Sequence, residues 1–545
     1  MKAHSLNLLV FREGRKTVSG TALKLALIQQ LRLGGADAVL SALLYAGELE
    51  CAIADEHQST QAWAAVTDAA AETLVAARPA SALLQQFKRL ETAVPPENLV
   101  LSTPEGFAYY ALHPLAFADV LTRLDPLPTQ AVVIGIRSIG VTLSAVFAAA
   151  LREHGCRAER TSVRPKGHPY DRRAEFSPEQ LQLVTDGISS GAAFFVVDEG
   201  PGISGSSFLA TGEALARAGV AHERITFVCS YEPHVELLRA PDGPQRWRKF
   251  RSVAVPNGTR IPAGAQVYIG GGEWRRYFLK SESCWPASWL NFERVKYVSS
   301  GAASPPADPR FFKFVGFGHY GQQLIEREST IAEAGFGPSP RMESDGFASY
   351  PLIKGRPMSV KDLSESVLAR MAAYCAFRAQ AFRIEAADSD ALRHMVQHNL
   401  HALRFDTSAT LEIIHPAIVD GRMQPHEWVL SADGQMLKTD SGAHGDDHFF
   451  PGATDIAWDL AGAIIEWQMN TRATETFLRM YHRASGDDAR ARIGGYLKAY
   501  AVFRCAWCML AANALEGTAE QQRLEQAAAN YGALLMQSAT DSVRK

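Results

Sequence analysis

The sequence predicts an α/β fold: a parallel, doubly wound sheet behind an N-terminal helical region, followed by a C-terminal α+β half. Three observations carry that reading. Between about 125 and 255, short apolar runs alternate with helical patterns, the order expected of a sheet built from strand, helix and strand units. Residues 1–100 are Ala- and Leu-rich at helical spacing, as in "TALKLALIQQLRL" and "AWAAVTDAAAETLVAA". Beyond 255, strand-like pieces come first and helices dominate to the end, separated near 301–309 by the Pro- and Ala-rich stretch "GAASPPADP". We therefore divide the chain into a helical region (1–100), a parallel-sheet domain (101–255) and a third domain (256–545) whose lobes meet near 355.

Taken in order, "QAVVIGI" reads as a strand, "TLSAVFAAALREHG" as a helix, and "RAERTSVR" as a strand. "AAFFVVDE" is a strand, "FLATGEALARAG" a helix and "RITFVCSYE" a further strand. "AQVYIGGG", "RRYFLKS" and "RFFKFVGFG" are strand-like pieces opening the last domain. The chain has 545 residues, a formal charge of −3 and 47% hydrophobic residues, the composition of a globular protein with several domains. Nothing basic or repetitive points to nucleic acid. No long uncharged apolar run or signal-like start is seen, so a cytoplasmic location is expected. Seven scattered cysteines argue against a disulfide framework, and the Cys505/Cys508 pair reads as two core thiols on one helix face.

The stretch "FFVVDEGPGISGSSF" joins a buried strand to two acids and a small-residue loop. Amides at the start of the following helix, with the hydroxyls of Ser204, Ser206 and Ser207 beside Gly205, are suited to a phosphate. Asp198 and Glu199 are suited to vicinal hydroxyls such as those of a ribose.

At these residues the chain resembles the type I phosphoribosyltransferases, with Asp198 and Glu199 matching the acidic pair and residues 204–207 the phosphate loop. One departure is an extra loop residue at Gly200-Pro201-Gly202. The resemblance implies that the loop Arg137-Ser138-Ile139-Gly140 binds pyrophosphate. It also implies that Arg164, Lys166 and His168 form a basic loop closing over it. The implied activity moves ribose 5-phosphate from phosphoribosyl pyrophosphate (PRPP) to an acceptor, with Mg²⁺ carried by the pyrophosphate. Asp198, Glu199, Arg137 and Lys166 are the catalytic candidates.

"GFGHYG" places Gly316, Gly318 and Gly321 between strand and helix, but no acid-ended strand follows, which argues against a dinucleotide fingerprint. Lys313 on a strand, followed by a helix with Glu326 and Glu328, is instead the lysine–glutamate arrangement that orients nucleotide phosphates. From there the chain resembles aminoglycoside-phosphotransferase-like kinases. "DGRMQPHE" falls on that family's catalytic loop, Asp440 on its metal-binding Asp, and Asp455 with Asp459 on its acidic helix-starting motif. Arg422 stands where the family has its catalytic Asp, and Glu427 where it has a metal-binding Asn, with Asp420 as a substitute base. The resemblance implies ATP bound through Lys313, Glu328, Glu427 and Asp440, with Mg²⁺ on Asp440 and Glu427. "YIGGGEWRRYFL" is either a phosphate-covering turn or a plain hairpin, and His444, Asp446, Asp447 and His448 are a weaker metal candidate.

The leading expectation is a PRPP-dependent transferase with an appended nucleotide-binding domain, acting on small molecules, with self-association left open. The alternatives are a small-molecule phosphotransferase with a ligand-sensing front half, and a non-catalytic ligand-binding regulator.

Overall fold

The computed structural model describes residues 7–33, 36–56, 60–83, 90, 93–299, 308–387, 389–405, 407–445 and 447–543. Most of the stretch 301–309 and Asp446 lie outside them.

The N-terminal region is not purely helical. Strand β1 (Arg15–Ser19) pairs antiparallel with β2 (Asn98–Ser102), Thr17 opposite Val100, and the described residues between them include the α-helices Gly20–Leu33, Ala36–Asp55 and Gln61–Val75. The strands are short, and a partner some eighty residues away leaves no local signal. The helices bury Leu27, Leu43, Leu49 and Ala71 against one another and against Ala145, Val146 and Ala149 of the helix Gly140–Glu153.

The expected parallel sheet is present. Strands β3 (Gln130–Ile136), β4 (Arg157–Val163), β7 (Ala193–Val197), β8 (Ile225–Cys229) and β9 (Arg251–Ala254) align in the order β4-β3-β7-β8-β9, all parallel. A short antiparallel hairpin, β5 (Lys166–His168) with β6 (Asp171–Arg173), rises between β4 and β7. Strands β3, β7 and β8 are apolar because helices cover both faces, whereas the edge strands β4 and β9 carry exposed charges such as Arg157, Glu159 and Arg251. Alternate residues point to opposite sides: Val133, Phe195 and Val228 pack with Phe147, whereas Ile134, Phe194 and Phe227 pack with Phe208 and Trp247. The chain reverses direction across the sheet between β3 and β7, so a crevice opens beyond Ile136 and Val197, where ligands of such sheets sit.

The second sheet is antiparallel, in the order β10 (Val267–Tyr268), β11 (Lys296–Val298), β12 (Arg310–Phe314), β14 (Phe347–Pro351) and β13 (Arg341–Met342). The helix His319–Glu333 follows β12, so the Gly316–Gly321 turn lies in an antiparallel sheet and not in a dinucleotide unit. The expected strand "RRYFLKS" is instead the helix Glu273–Phe278. Its Arg275 is buried against Glu520 at 2.8 Å, a tertiary tie that outweighs the strand-like composition. The glycine cluster before it ends in Gly272, whose φ of 86° starts this helix instead of turning a hairpin.

Past residue 355 the chain is mainly helical, around a core that includes Tyr374, Trp428, Trp458, Trp467 and Tyr500. Cys505 and Cys508 are buried free thiols within the helix Ile493–Ala514. No helix among the described residues is long and apolar enough to cross a membrane.

Candidate functional site

Two places gather the sequence-predicted residues. The first is the crevice beyond β3 and β7. Asp198 accepts from the amide of Glu199 at 2.9 Å, and Glu199 accepts from the amide of Gly106 at 3.2 Å. A Cβ on Gly106 would lie 3.0 Å from the Glu199 carboxyl carbon and 2.9 Å from Ile139, so residues 104–107 press directly onto the acids. Burial raises both carboxyls, Asp198 to about 7 and Glu199 to about 8, the latter helped by the charge of Asp198.

The groups assigned to pyrophosphate and phosphate are engaged by the chain itself. Arg137 donates to Ser162 Oγ (3.1 Å) and to the carbonyls of Ser162 (3.2 Å) and Ala54 (3.0 Å), and it pairs with Asp55 at 3.2 Å. Arg164 pairs with the same Asp55 and donates to the Arg137 carbonyl at 3.0 Å. Both arginines thus fasten the helix Ala36–Asp55 to the sheet, where pyrophosphate contacts were expected. Ser138 and Arg164 border a void of about 20 Å³, room for a single water. A Cβ on Gly140 would meet the Val197 carbonyl at 2.6 Å, so this glycine serves close packing of helix on strand. Ser204 and Ser206 donate their hydroxyls to the Pro169 carbonyl at 3.0 and 2.6 Å, and Arg172 donates to Ser207 Oγ at 3.2 Å. The basic hairpin therefore rests on the serine loop. Gly205 adopts φ 71° ahead of the helix, and Lys166 and His168 are exposed on the hairpin.

The second place is a cleft of about 240 Å³ between the antiparallel sheet and the helical lobe. Lys313 on β12 is almost wholly buried and forms an ion pair with Asp440. The expected partner Glu328 accepts from the Tyr350 hydroxyl; burial raises its carboxyl, and the charge of Lys313 still acts to lower it. Asp440 has a left-handed backbone (φ 53°), and Lys296 Nζ at 4.0 Å and His444 Nε2 at 3.4 Å also face its carboxylate. Burial alone would raise that carboxyl, but Lys313 and His444 outweigh it and hold Asp440 well below the usual range.

The catalytic-loop positions are structural. Asp420 is fully buried, bonded to Tyr374 and flanked by Lys438 at 3.3 Å and Arg378 at 3.8 Å, so it cannot reach a substrate proton. Asp459 accepts from the amides of Asp420 and Gly421 at 2.7 and 2.9 Å, and Asp455 accepts from those of Ile414 and His415 at 2.7 and 2.8 Å. Glu427 is bonded to Lys438 at 3.0 Å. Like Asp440 it lines the cleft and is paired with a lysine, so that pairing does not by itself exclude Glu427 from a metal-ligand role. Asp440, an ionised carboxylate lining the cleft, fits one. Among the described residues no group of three or more His, Cys, Asp and Glu side chains is placed to hold a metal ion. Arg422 lines the cleft with its guanidinium 5.9 Å from the Trp507 ring centre, a permanent cation where an acceptor-activating acid was sought.

The sequence reading missed Lys296. It stands directly opposite Lys313 across β11 and β12, and like charges so placed repel unless an anion lies between them. Trp274, stacked on His426 at 5.5 Å, was missed as well. The β11–β12 register, which "RVKYV" alone does not reveal, puts Lys296 opposite Lys313.

No family model and no curated protein matches the chain. Among solved structures, it is similar to a choline kinase from Streptococcus pneumoniae at 12% identity and TM-score 0.30, covering 44% of this chain and 89% of that one. It is similar to a choline/ethanolamine kinase family protein from Mesorhizobium loti at 14% identity and TM-score 0.30, covering 45% and 84%. An aminoglycoside phosphotransferase from Alicyclobacillus acidocaldarius aligns at 11% identity and TM-score 0.31, covering 46% and 91%. These likenesses are too distant to assign a function, which has to rest on the cleft itself.

Proposed function

We propose that the cleft binds a nucleoside triphosphate and that the chain is a small-molecule phosphotransferase. The observation that carries this reading is the cross-strand lysine pair, Lys296 and Lys313, converging on the carboxylate of Asp440 inside an aromatic-walled cleft. Glu293 and Glu328 also feel the charges of Lys296 and Lys313, but over the whole cleft six Lys and Arg side chains face five Asp and Glu, a positive excess that phosphate oxygens would neutralise. Phosphoryl transfer asks chiefly for positioning and charge stabilisation, and the lysines with Arg422 supply the latter. Mg²⁺ held by Asp440 would add further neutralisation of the phosphates. Trp274, Phe311 and Tyr350 offer faces for a base, and the chain crosses between the lobes at residues 351–355 beside them.

A titration of the Mg²⁺ complex of a non-hydrolysable ATP analogue tests the reading. Wild type is expected to bind, and Lys313→Met to bind at least about 10-fold more weakly, the loss of one charge-assisted contact. Absence of binding to wild type overturns it.

Arg422 and the buried Asp420 favour a second reading, nucleotide binding without transfer. ADP formation in the presence of a small-molecule extract separates the two: binding with no ADP supports the second. A PRPP-dependent activity in the front half has the sheet order and the acid pair in its favour. It requires the contacts of Asp55, Gly106 and Pro169 with the loop residues to give way.

A further inference from the structure

A phosphotransferase needs a second molecule beside its nucleotide, and the charges lining the cleft indicate which kind it takes. The five acids there are already engaged. Asp440 pairs with Lys313, and Glu427 with Lys438 at 3.0 Å. Glu293 accepts from the Gly272 amide at 2.8 Å and the Trp274 indole at 3.1 Å, and Glu328 accepts from the Tyr350 hydroxyl. Asp447 accepts from the Phe449 amide at 2.9 Å and has His444 Nδ1 at 3.6 Å. An ammonium group entering the cleft would find each of these carboxylates held by a donor or a cation of the chain.

The cations leave one exception. Lys313 and Lys438 are in the pairs just given, Lys296 stands 4.0 Å from Asp440, and Arg504 stands 3.5 Å from Glu466. Arg294 donates to the carbonyls of Ala108 (3.0 Å) and Val315 (3.2 Å). Arg422 bonds Asp420 through its backbone amide, but among the described residues its guanidinium makes no hydrogen bond and no ion pair. Asp447, Glu427, His426 and His448 feel its charge, yet both acids have the nearer partners named above. A half-buried guanidinium with no acceptor in the chain offers a planar fork of N–H donors. That geometry takes a carboxylate or a phosphate through two parallel bonds. The wall beside it is aromatic: the guanidinium lies 5.9 Å from the Trp507 ring centre, and Trp507 meets Trp289 edge-on at 5.6 Å.

We propose that Arg422 selects the acceptor, a small hydroxyl compound bearing a carboxylate or phosphate group. The guanidinium holds the anionic group, and the carbon skeleton lies on Trp507 and Trp289. This site rests on nucleotide phosphates entering the same cleft. Five N–H donors suffice for the acceptor's anion together with a transferred phosphate, so the charge-stabilising role of Arg422 is retained.

The test is calorimetric titration of the full chain, saturated with the Mg²⁺ complex of a non-hydrolysable ATP analogue. The probes are D-glycerate, glycerol 3-phosphate, glycerol and choline. At least one of the two anions is expected to bind about 10-fold or more tighter than glycerol and choline, and which anion it is separates carboxylate from phosphate. Arg422→Gln should remove that margin. Arg422→Lys should keep part of it, because the charge stays and the fork is lost, and Arg422→Glu should turn the preference toward choline. No side-chain bond is broken in any of the three, so each should melt near wild type. Failure of the analogue to bind wild type removes the nucleotide reading, and this site with it. The acceptor proposal alone is overturned if the analogue binds but neither anion does, or if glycerol or choline binds as tightly as the anions. An anion preference that survives Arg422→Gln overturns it too.

Discussion

Replacing Lys438 by Met is the sharpest test of the claim that Asp420 is a structural group and not a base. Lys438 and Asp420 are both fully buried at 3.3 Å, and Glu427, 9% exposed, stands 3.0 Å away. Burial works against the ammonium, but Asp420 and Glu427 outweigh it and raise its pKa. Removing one partner of a buried ion pair costs about 3–5 kcal/mol, and no discount for solvent screening applies at these exposures. At about 2–4 °C per kcal/mol for a unit of this size, the helical lobe should melt about 6–20 °C lower. The assay is calorimetric melting of wild type, Lys438→Met and the double variant Lys438→Met/Glu427→Gln. The double variant should recover part of the loss, because one of the two stranded carboxylates is neutralised. A fall of less than about 2 °C for the single variant would mean that water already reaches the pair. Asp420 would then be accessible, and its exclusion as a base would fail.

Arg160→Leu should cost about 3–5 kcal/mol in urea unfolding, since it strands buried Glu50 (bonded at 2.8 Å to two guanidinium nitrogens) and Asp68 (2.6 Å); adding Glu50→Leu should restore part of it. The acid pair gives a pH signature. Asp198 and Glu199 rise from 3.8 and 4.5 to about 7 and 8 on folding, so the folded state favours their protonated forms, and their contribution to stability is lost as pH rises through 7 to 8. Melting temperatures compared at pH 6 and pH 9 should fall more for wild type than for Asp198→Asn/Glu199→Gln, and equal falls would remove burial as the cause. Ser206→Ala deletes a 2.6 Å bond to Pro169 and should raise amide exchange across residues 166–173, while unchanged protection would show that the hairpin is held otherwise.

Much of the scaffold was legible because strands buried on both faces write themselves as apolar runs. "AFFVV" and "ITFVC" fit a sheet strand covered by helices on both faces. Elements decided by distant partners were not. β1 has nothing local to announce β2, and "EWRRYF" is a helix through the burial of Arg275 by Glu520, 245 residues on. The acids and serines of 198–207 were placed correctly at the end of β7, yet their partners Gly106 and Pro169 come from segments with no motif. Asp55, 82 residues before Arg137 in the chain, engages both Arg137 and Arg164. In the cleft, the strand-then-helix order located Lys313 and the kinase resemblance located Asp440, but neither pointed to the ion pair between them. Which acid an ammonium chooses depends on backbone direction, here the left-handed turn at Asp440.

The central claim is that nucleotide phosphates enter the cleft between the lysine pair and Asp440. Photolabelling with an azido-ATP analogue, followed by peptide mapping, locates the nucleotide directly. The account predicts label on peptides spanning 274–296 or 350–357, which border the cleft, with loss of labelling in Lys313→Met. Label confined to residues 198–207, beyond the parallel sheet, would contradict it.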